Sequence, residues 1–151
     1  MTDKATEQMV MRASPERLYK TILDFERYPE WAGDIKEVKV LDRDADGRGT
    51  AVSWRAAAFG RSTTYTLRYD YSNAPKQVSW VLDHGDITSK LDGAYTFEPA
   101  DLGGEDGPDA TLVTYMLEVE LKIPLPGFVK RRAENRIIST ALKELRARVE
   151  A

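Results

Sequence analysis

The C-terminal stretch constrains the fold more than any other part of the chain. The run Ile123-Pro124-Leu125-Pro126-Gly127-Phe128 is followed by neither Pro nor Gly up to Ala151. Val129, Ala133, Ile137, Ile138, Ala141, Leu142, Leu145 and Val149 recur at spacings of three and four with occasional neighbours, the apolar stripe of one long amphipathic helix. Between residues 35 and 122 the apolar period is instead two. One long helix beside a run of short strands must bury its stripe against a sheet. The functional question is whether the space between helix and sheet is filled or hollow.

A chain of 151 residues suits one domain, spanning 1–151, around one core. The net charge of -3 argues against a nucleic-acid binder, which carries a strongly basic face. The absence of cysteine excludes disulfides, thiolate metal sites and cysteine nucleophiles. The N-terminal residues Met1-Thr2-Asp3-Lys4-Ala5-Thr6-Glu7 lack the apolar stretch of a secretory signal. No apolar run approaches the roughly 18 residues of a membrane span. These features predict a soluble, cytoplasmic protein.

Residues 5–12 alternate loosely and predict a first strand. Ser14-Pro15-Glu16 then supplies a helix start, with Ser14 as the cap and Pro15 at the first helical position. Leu18, Tyr19, Ile22 and Leu23 form the apolar face of that short helix. Tyr28-Pro29-Glu30-Trp31 predicts a second short helix or turn, with Pro29 in its first turn. Strands follow from Ile35, from about 50 to 57, after a turn at 59–61, and over 62–72. In the last, Tyr65, Leu67, Tyr69 and Tyr71 alternate with Thr64, Thr66, Arg68 and Asp70, which means one buried and one wet face. Val78, Trp80 and Leu82 line the next strand, and Gly93, Tyr95 and Phe97 another. An acidic, glycine-rich loop from 100 to 108, expected to be mobile, precedes a final strand carrying Val113, Tyr115, Leu117, Val119 and Leu121. Short turns between successive strands make the sheet antiparallel.

Four stretches bring a family into view: Ala13-Ser14-Pro15-Glu16, Asp24-Phe25-Glu26-Arg27-Tyr28-Pro29-Glu30-Trp31, Leu91-Asp92-Gly93-Ala94-Tyr95-Thr96-Phe97, and Pro124-Leu125-Pro126-Gly127 leading into the terminal helix. With these the chain resembles the START-like (SRPBCC, helix-grip) superfamily, in its bacterial polyketide cyclase/dehydrase and coenzyme-Q-binding-protein-like branch. The resemblance implies an α+β helix-grip fold: a curved antiparallel sheet of about seven strands wrapped around the C-terminal helix, with two short helices after the first strand. The matching residues are packing and capping positions, so they carry no catalytic assignment.

Trp54, Tyr65, Tyr69, Trp80, Tyr95 and Tyr115 are the candidate ligand-binding residues of the sheet, joined by Ala133, Ile137 and Ala141 of the helix. By periodicity alone these rings simply fill the core, as inward aromatics usually do. The resemblance implies a cavity framed by apolar walls and phenolic hydroxyls, suited to a hydrophobic small molecule. Small Ala133 and Ala141 leave room beneath the helix. Trp54 faces inward only in one strand phase; a shift by one residue would place Arg55 there.

Other chemistry is thinner. Asp42, Asp44, Asp46 and Gly47 imitate the start of a calcium loop, but Ser53 stands where the bidentate glutamate is required, so a hairpin turn is expected and no metal. His84, the only histidine, falls in a predicted turn. No cofactor motif is present. Lys130, Arg131 and Arg132 lie in the first turn of the terminal helix, against its dipole, unless Glu134 and water offset them. Beside Leu125 and Phe128 they suggest peripheral contact with an anionic membrane.

The leading expectation is binding, or carriage, of a lipid, isoprenoid quinone or polyketide-like metabolite. A cyclase/dehydrase-type enzyme using Arg55, Arg68, Tyr69 or Asp83 is the alternative, although strand phase puts Arg68 outside. A ligand-free interaction module, monomeric or homodimeric, is the third reading.

Overall fold

Ser14 starts the first helix as its chemistry requires. In the computed structural model, which describes residues 4–58, 61–100 and 110–151, its backbone is extended and its hydroxyl accepts from the Arg17 N–H at 3.1 Å. Pro15 follows at the first helical position, where its missing N–H leaves nothing unsatisfied. This helix, α1 (Pro15–Leu23), follows strand β1 (Ala5–Met11) and buries Leu18 and Ile22. A 3₁₀ helix (Phe25–Glu30) comes next, burying Phe25 and Tyr28. It begins earlier than the sequence suggests, so Pro29 lies near its end rather than in its first turn. The tight turn runs that far because Asp24 already closes α1 and starts the next one.

Six further strands complete the sheet: β2 (Ile35–Arg43), β3 (Gly49–Ala58), β4 (Arg61–Asp70), β5 (Gln77–Gly85), β6 (Thr88–Ala100) and β7 (Ala110–Leu121). Their spatial order is β1-β7-β6-β5-β4-β3-β2, antiparallel throughout. Register shifts interrupt β2–β3, β4–β5 and β6–β7. Such bulges bend strands and increase twist, which lets the sheet curl. The expected turn at 59–61 and the acidic loop at 100–108 fall largely outside the described residues.

Helix α2 (Gly127–Glu150) occupies the concave side. Ile138, Leu142, Leu145 and Val149 are buried, and the helix packs on β1 and β7. Each such side chain contributes roughly 1.5–3 kcal/mol through removal from water. The helix is therefore anchored to one side of the curled sheet. Its neighbouring flank, with Ile137 and Ala141, faces what the sheet encloses.

Glu134 breaks the expected pattern. It continues the buried stripe, is only 1% exposed, and accepts the Val119 N–H at 3.1 Å. Strand β1 starts opposite Leu117, so it does not extend to Val119, and the carboxylate takes the place of a neighbouring strand. Glu134 thus binds the sheet inside the fold rather than standing in solvent beside the basic cluster, which, with the helix starting at Gly127, spans its first two turns. This helix is the longest, and no helix among the described residues is long and apolar enough to cross a membrane.

Candidate functional site

Between α2 and β3–β7 lies a cavity of about 160 Å³. Alternation places the sheet's rings there. Trp54 on β3, Tyr65 and Tyr69 on β4, Trp80 on β5, Tyr95 on β6 and Tyr115 on β7 all line it. Trp54 is 4% exposed whereas Arg55 points to solvent and bonds Glu37 at 3.4 Å, which settles the strand phase. From the helix, Ile137 and Ala141 line the cavity; Ala133, a turn earlier, does not.

The rings touch one another as well as the cavity. Tyr95 and Tyr115 lie 4.5 Å apart by centroid, Trp80 meets Tyr115 edge-on at 5.8 Å, and Tyr69 is 5.8 Å from Trp80. Trp54 stands edge-on to Tyr28 at 4.8 Å. These edge contacts are the arrangement that ring quadrupoles favour. They make the wall rigid while leaving space under the helix.

A second wall comes from the connection between the 3₁₀ helix and β2. Tyr28, Trp31, Ala32, Asp34 and Ile35 line this side; the sequence led to short helices closing one end of the groove but did not single out these residues. The Tyr28-Pro29-Glu30-Trp31 motif was legible as a turn, but nothing in its spacing shows that the turn folds over the helix. Two contacts hold it there: the Gly33 N–H donates to Glu144 at 3.0 Å, and Arg148 pairs with Glu30 at 2.9 Å. Lining residues Asp34 and Ala57 are exposed, and they mark the mouth.

Among the described residues, the Nε1 atoms of Trp54 and Trp80 and the Thr88 hydroxyl are buried without a hydrogen-bond partner, and all three residues line the cavity. An unpaired buried polar group costs about 1–3 kcal/mol. Tyr28 donates to the Ile22 carbonyl at 2.7 Å, so its hydroxyl is spoken for. Burial raises the phenols of Tyr65, Tyr69, Tyr95 and Tyr115 above their ordinary value, with neighbouring tyrosines adding to this at Tyr69, Tyr95 and Tyr115. They remain neutral donors at any physiological pH. Among the described residues, the carboxylates of the lining are Asp34 and Glu144, near the mouth, and no lysine or arginine takes part. Among the described residues the site offers apolar walls, neutral phenols and two carboxylates, without a lysine or arginine.

Other candidates lie elsewhere. Arg68 and Asp83, 3.5 Å apart, are outside the lining. His84 sits in β5 rather than a turn, with its side chain 72% exposed, 3.5 Å from Asp83 and 3.4 Å from the Thr66 hydroxyl. Asp44 accepts from the Arg48 guanidinium at 2.8 Å and from the N–H groups of Arg48 and Asp46, which closes the β2–β3 hairpin. Lys130 is half-buried, and Arg131 and Arg132 are exposed.

Comparison with known proteins agrees with this geometry. The family model for polyketide cyclase/dehydrase and lipid transport matches residues 11–146. A START superfamily protein from Mycobacterium smegmatis is 29% identical, with 97% of each chain covered and a TM-score of 0.88. A protein from Thermus thermophilus is 23% identical over 97% of each chain, with a TM-score of 0.76. The Zhui aromatase/cyclase from Streptomyces sp. R1128 is 12% identical, covering 99% of this chain and 94% of its own, at a TM-score of 0.81. At that identity the likeness is one of fold. No curated protein matches the sequence.

Proposed function

This chain belongs to the polyketide cyclase/dehydrase and lipid transport family of the START-like superfamily, and we propose that it binds a neutral, ring-containing hydrophobic molecule bearing carbonyl or ether oxygens. The observation that carries this reading is a cavity walled by aromatic side chains, with no lysine or arginine among the described lining residues. A ligand with acceptor oxygens would meet the neutral phenols of the lining, those of Tyr65, Tyr69, Tyr95 and Tyr115, which can donate to it. A carboxylate or phosphate ligand would find no cation among the described lining residues. Ketones and quinones fit this chemistry.

Size narrows the guest. A dry cavity of about 150 Å³ accommodates a benzene ring, so a space of about 160 Å³ encloses a ring with its substituents. A longer chain would leave through the mouth beside Asp34 and Ala57. Binding would be driven by apolar burial, with the donors fixing orientation.

Catalysis of a cyclase/dehydrase kind is less well supported. General acid/base chemistry works best with a group whose pKa lies near the operating pH. The lining phenols are shifted away from that range, and Arg55, Arg68 and Asp83 are outside the cavity.

The protein's three tryptophans, Trp31, Trp54 and Trp80, all line the cavity, so intrinsic fluorescence reports its occupancy. Titration with 2-methyl-1,4-naphthoquinone should give saturable, one-to-one quenching. A naphthalene sulfonate of similar size should bind much more weakly. Linear, non-saturating quenching by the quinone, or equal binding of the sulfonate, would count against the proposal.

A further inference from the structure

We infer that residues 122–132, at the junction of β7 and α2, form a docking surface for an anionic lipid bilayer. Ile123 is 54% exposed, Leu125 38%, Phe128 62% and Val129 37%. The other exposed large apolar side chains among the described residues, Val10, Leu41 and Val81, are scattered over β1, β2 and β5. A contiguous apolar patch on an otherwise polar surface marks an interaction site.

The charge along this segment is of one sign. From Leu121 to Ala133 the sequence contains Lys122, Lys130, Arg131 and Arg132 and no carboxylate, on a chain whose net charge is -3. Lys130, Arg131 and Arg132 have no ion-pair partner among the described residues. The first turn of α2 has no acidic residue and no side-chain cap, so its dipole adds to the positive field. Within the molecule that arrangement is unfavourable. An external sheet of anions reverses its sign, and the exposed apolar side chains then enter the acyl boundary below the headgroups.

Other occupants fit less well. Two copies meeting through this face would bring like charges together. A nucleic-acid backbone would satisfy the cations but would leave Ile123, Leu125 and Val129 uncovered. The surface also adjoins the cavity: the Lys122 N–H donates to the Ile87 carbonyl at 2.8 Å, and Leu121 pairs with Thr88, a lining residue. A bilayer docked here would lie against one end of the site, although docking itself needs no ligand.

The test is co-sedimentation with phosphatidylcholine vesicles, with and without an equal part of phosphatidylserine. Binding should require phosphatidylserine and weaken as salt is raised. Joint replacement Lys130→Gln, Arg131→Gln and Arg132→Gln should lower partitioning on the order of a hundredfold, from the usual contribution of each cation near an anionic surface. Phe128→Ser should lower it with the charges intact. Because these side chains are at the surface, unchanged circular dichroism and melting would confirm that both variants fold. Absence of binding, binding indifferent to phosphatidylserine, or a sedimenting dimer dissolved by Phe128→Ser would each overturn the inference.

Discussion

The indole of Trp80 lies across Gly93 of the adjoining strand so closely that a methyl group at Gly93 would sit 2.6 Å from its Cζ2 and 2.9 Å from its Cε2. The same methyl would come within 2.6 Å of the Met116 carbonyl oxygen. The glycine therefore sets the depth of the cavity wall: only without a Cβ there can the ring lie down on β6.

Gly93→Ala should force Trp80 away from β6. Overpacking of this kind costs about 1–3 kcal/mol, and the backbone contact with Met116 favours the upper end. Urea unfolding followed by far-ultraviolet circular dichroism measures the loss. Naphthoquinone binding should weaken in the same variant, since the displaced indole would occupy the guest's space. An unchanged midpoint and unchanged binding would mean that the glycine is incidental.

That relationship also shows how far the sequence could be read. The alternation of Tyr65, Leu67 and Tyr69, and of Val78, Trp80 and Leu82, announced which face of each strand was inward, and the structure places Tyr65, Tyr69 and Trp80 on the cavity. Period two is a local property, so strand faces were legible, except at Thr66, expected on the wet face but buried beside the β4–β5 register shift. The wall built by Trp31, Asp34 and Ile35 was not, because it depends on Glu144 and Arg148 reaching a segment more than 100 residues away in sequence. Nor did spacing distinguish a filled interior from a hollow one. Rings can touch along the sheet and still leave a cavity beneath the helix, as Tyr95 and Tyr115 do opposite Ala141.

Glu134 illustrates a residue whose type misleads. A carboxylate on a helix reads as surface, yet this one holds the Val119 N–H where β1 falls short. Glu134→Ala should strand that donor, at about 1–3 kcal/mol. Glu134→Gln retains an acceptor and should lose less. Denaturant midpoints of the two variants decide the matter; equal losses would show that charge, rather than the bond to Val119, is what counts.

Acid sensitivity should localise in part to Asp86. Burial works to raise its carboxyl, but bonds from the Thr63 hydroxyl and the N–H groups of Thr64 and Ile87 outweigh this and hold it below the usual range. A folded-state value below the unfolded one means that the bonded carboxylate stabilises the fold above the unfolded value, about 3.9. That stability disappears as pH falls through the folded value. Asp86→Asn should therefore be less stable than the parent at neutral pH and show a shallower decline on acidification. Urea midpoints measured from neutral pH downward test this, and parallel curves would exclude a role for Asp86.

Filling the cavity separates ligand binding from stability. Ala141 is half-buried, lines the cavity and lies beside Leu142, whose burial anchors the helix on its other flank. Ala141→Leu adds apolar volume where space already exists, so it should not incur the strain of an overpacked core. Melting temperature should hold or rise, because the new side chain leaves water for an apolar wall. Quinone affinity should fall by more than about tenfold, since each 1.4 kcal/mol of excluded contact corresponds to that factor. A variant that melts as high as the parent and still binds the quinone equally well would mean that the guest sits elsewhere. A destabilised variant would instead mean that the space beneath the helix is narrower than its walls suggest.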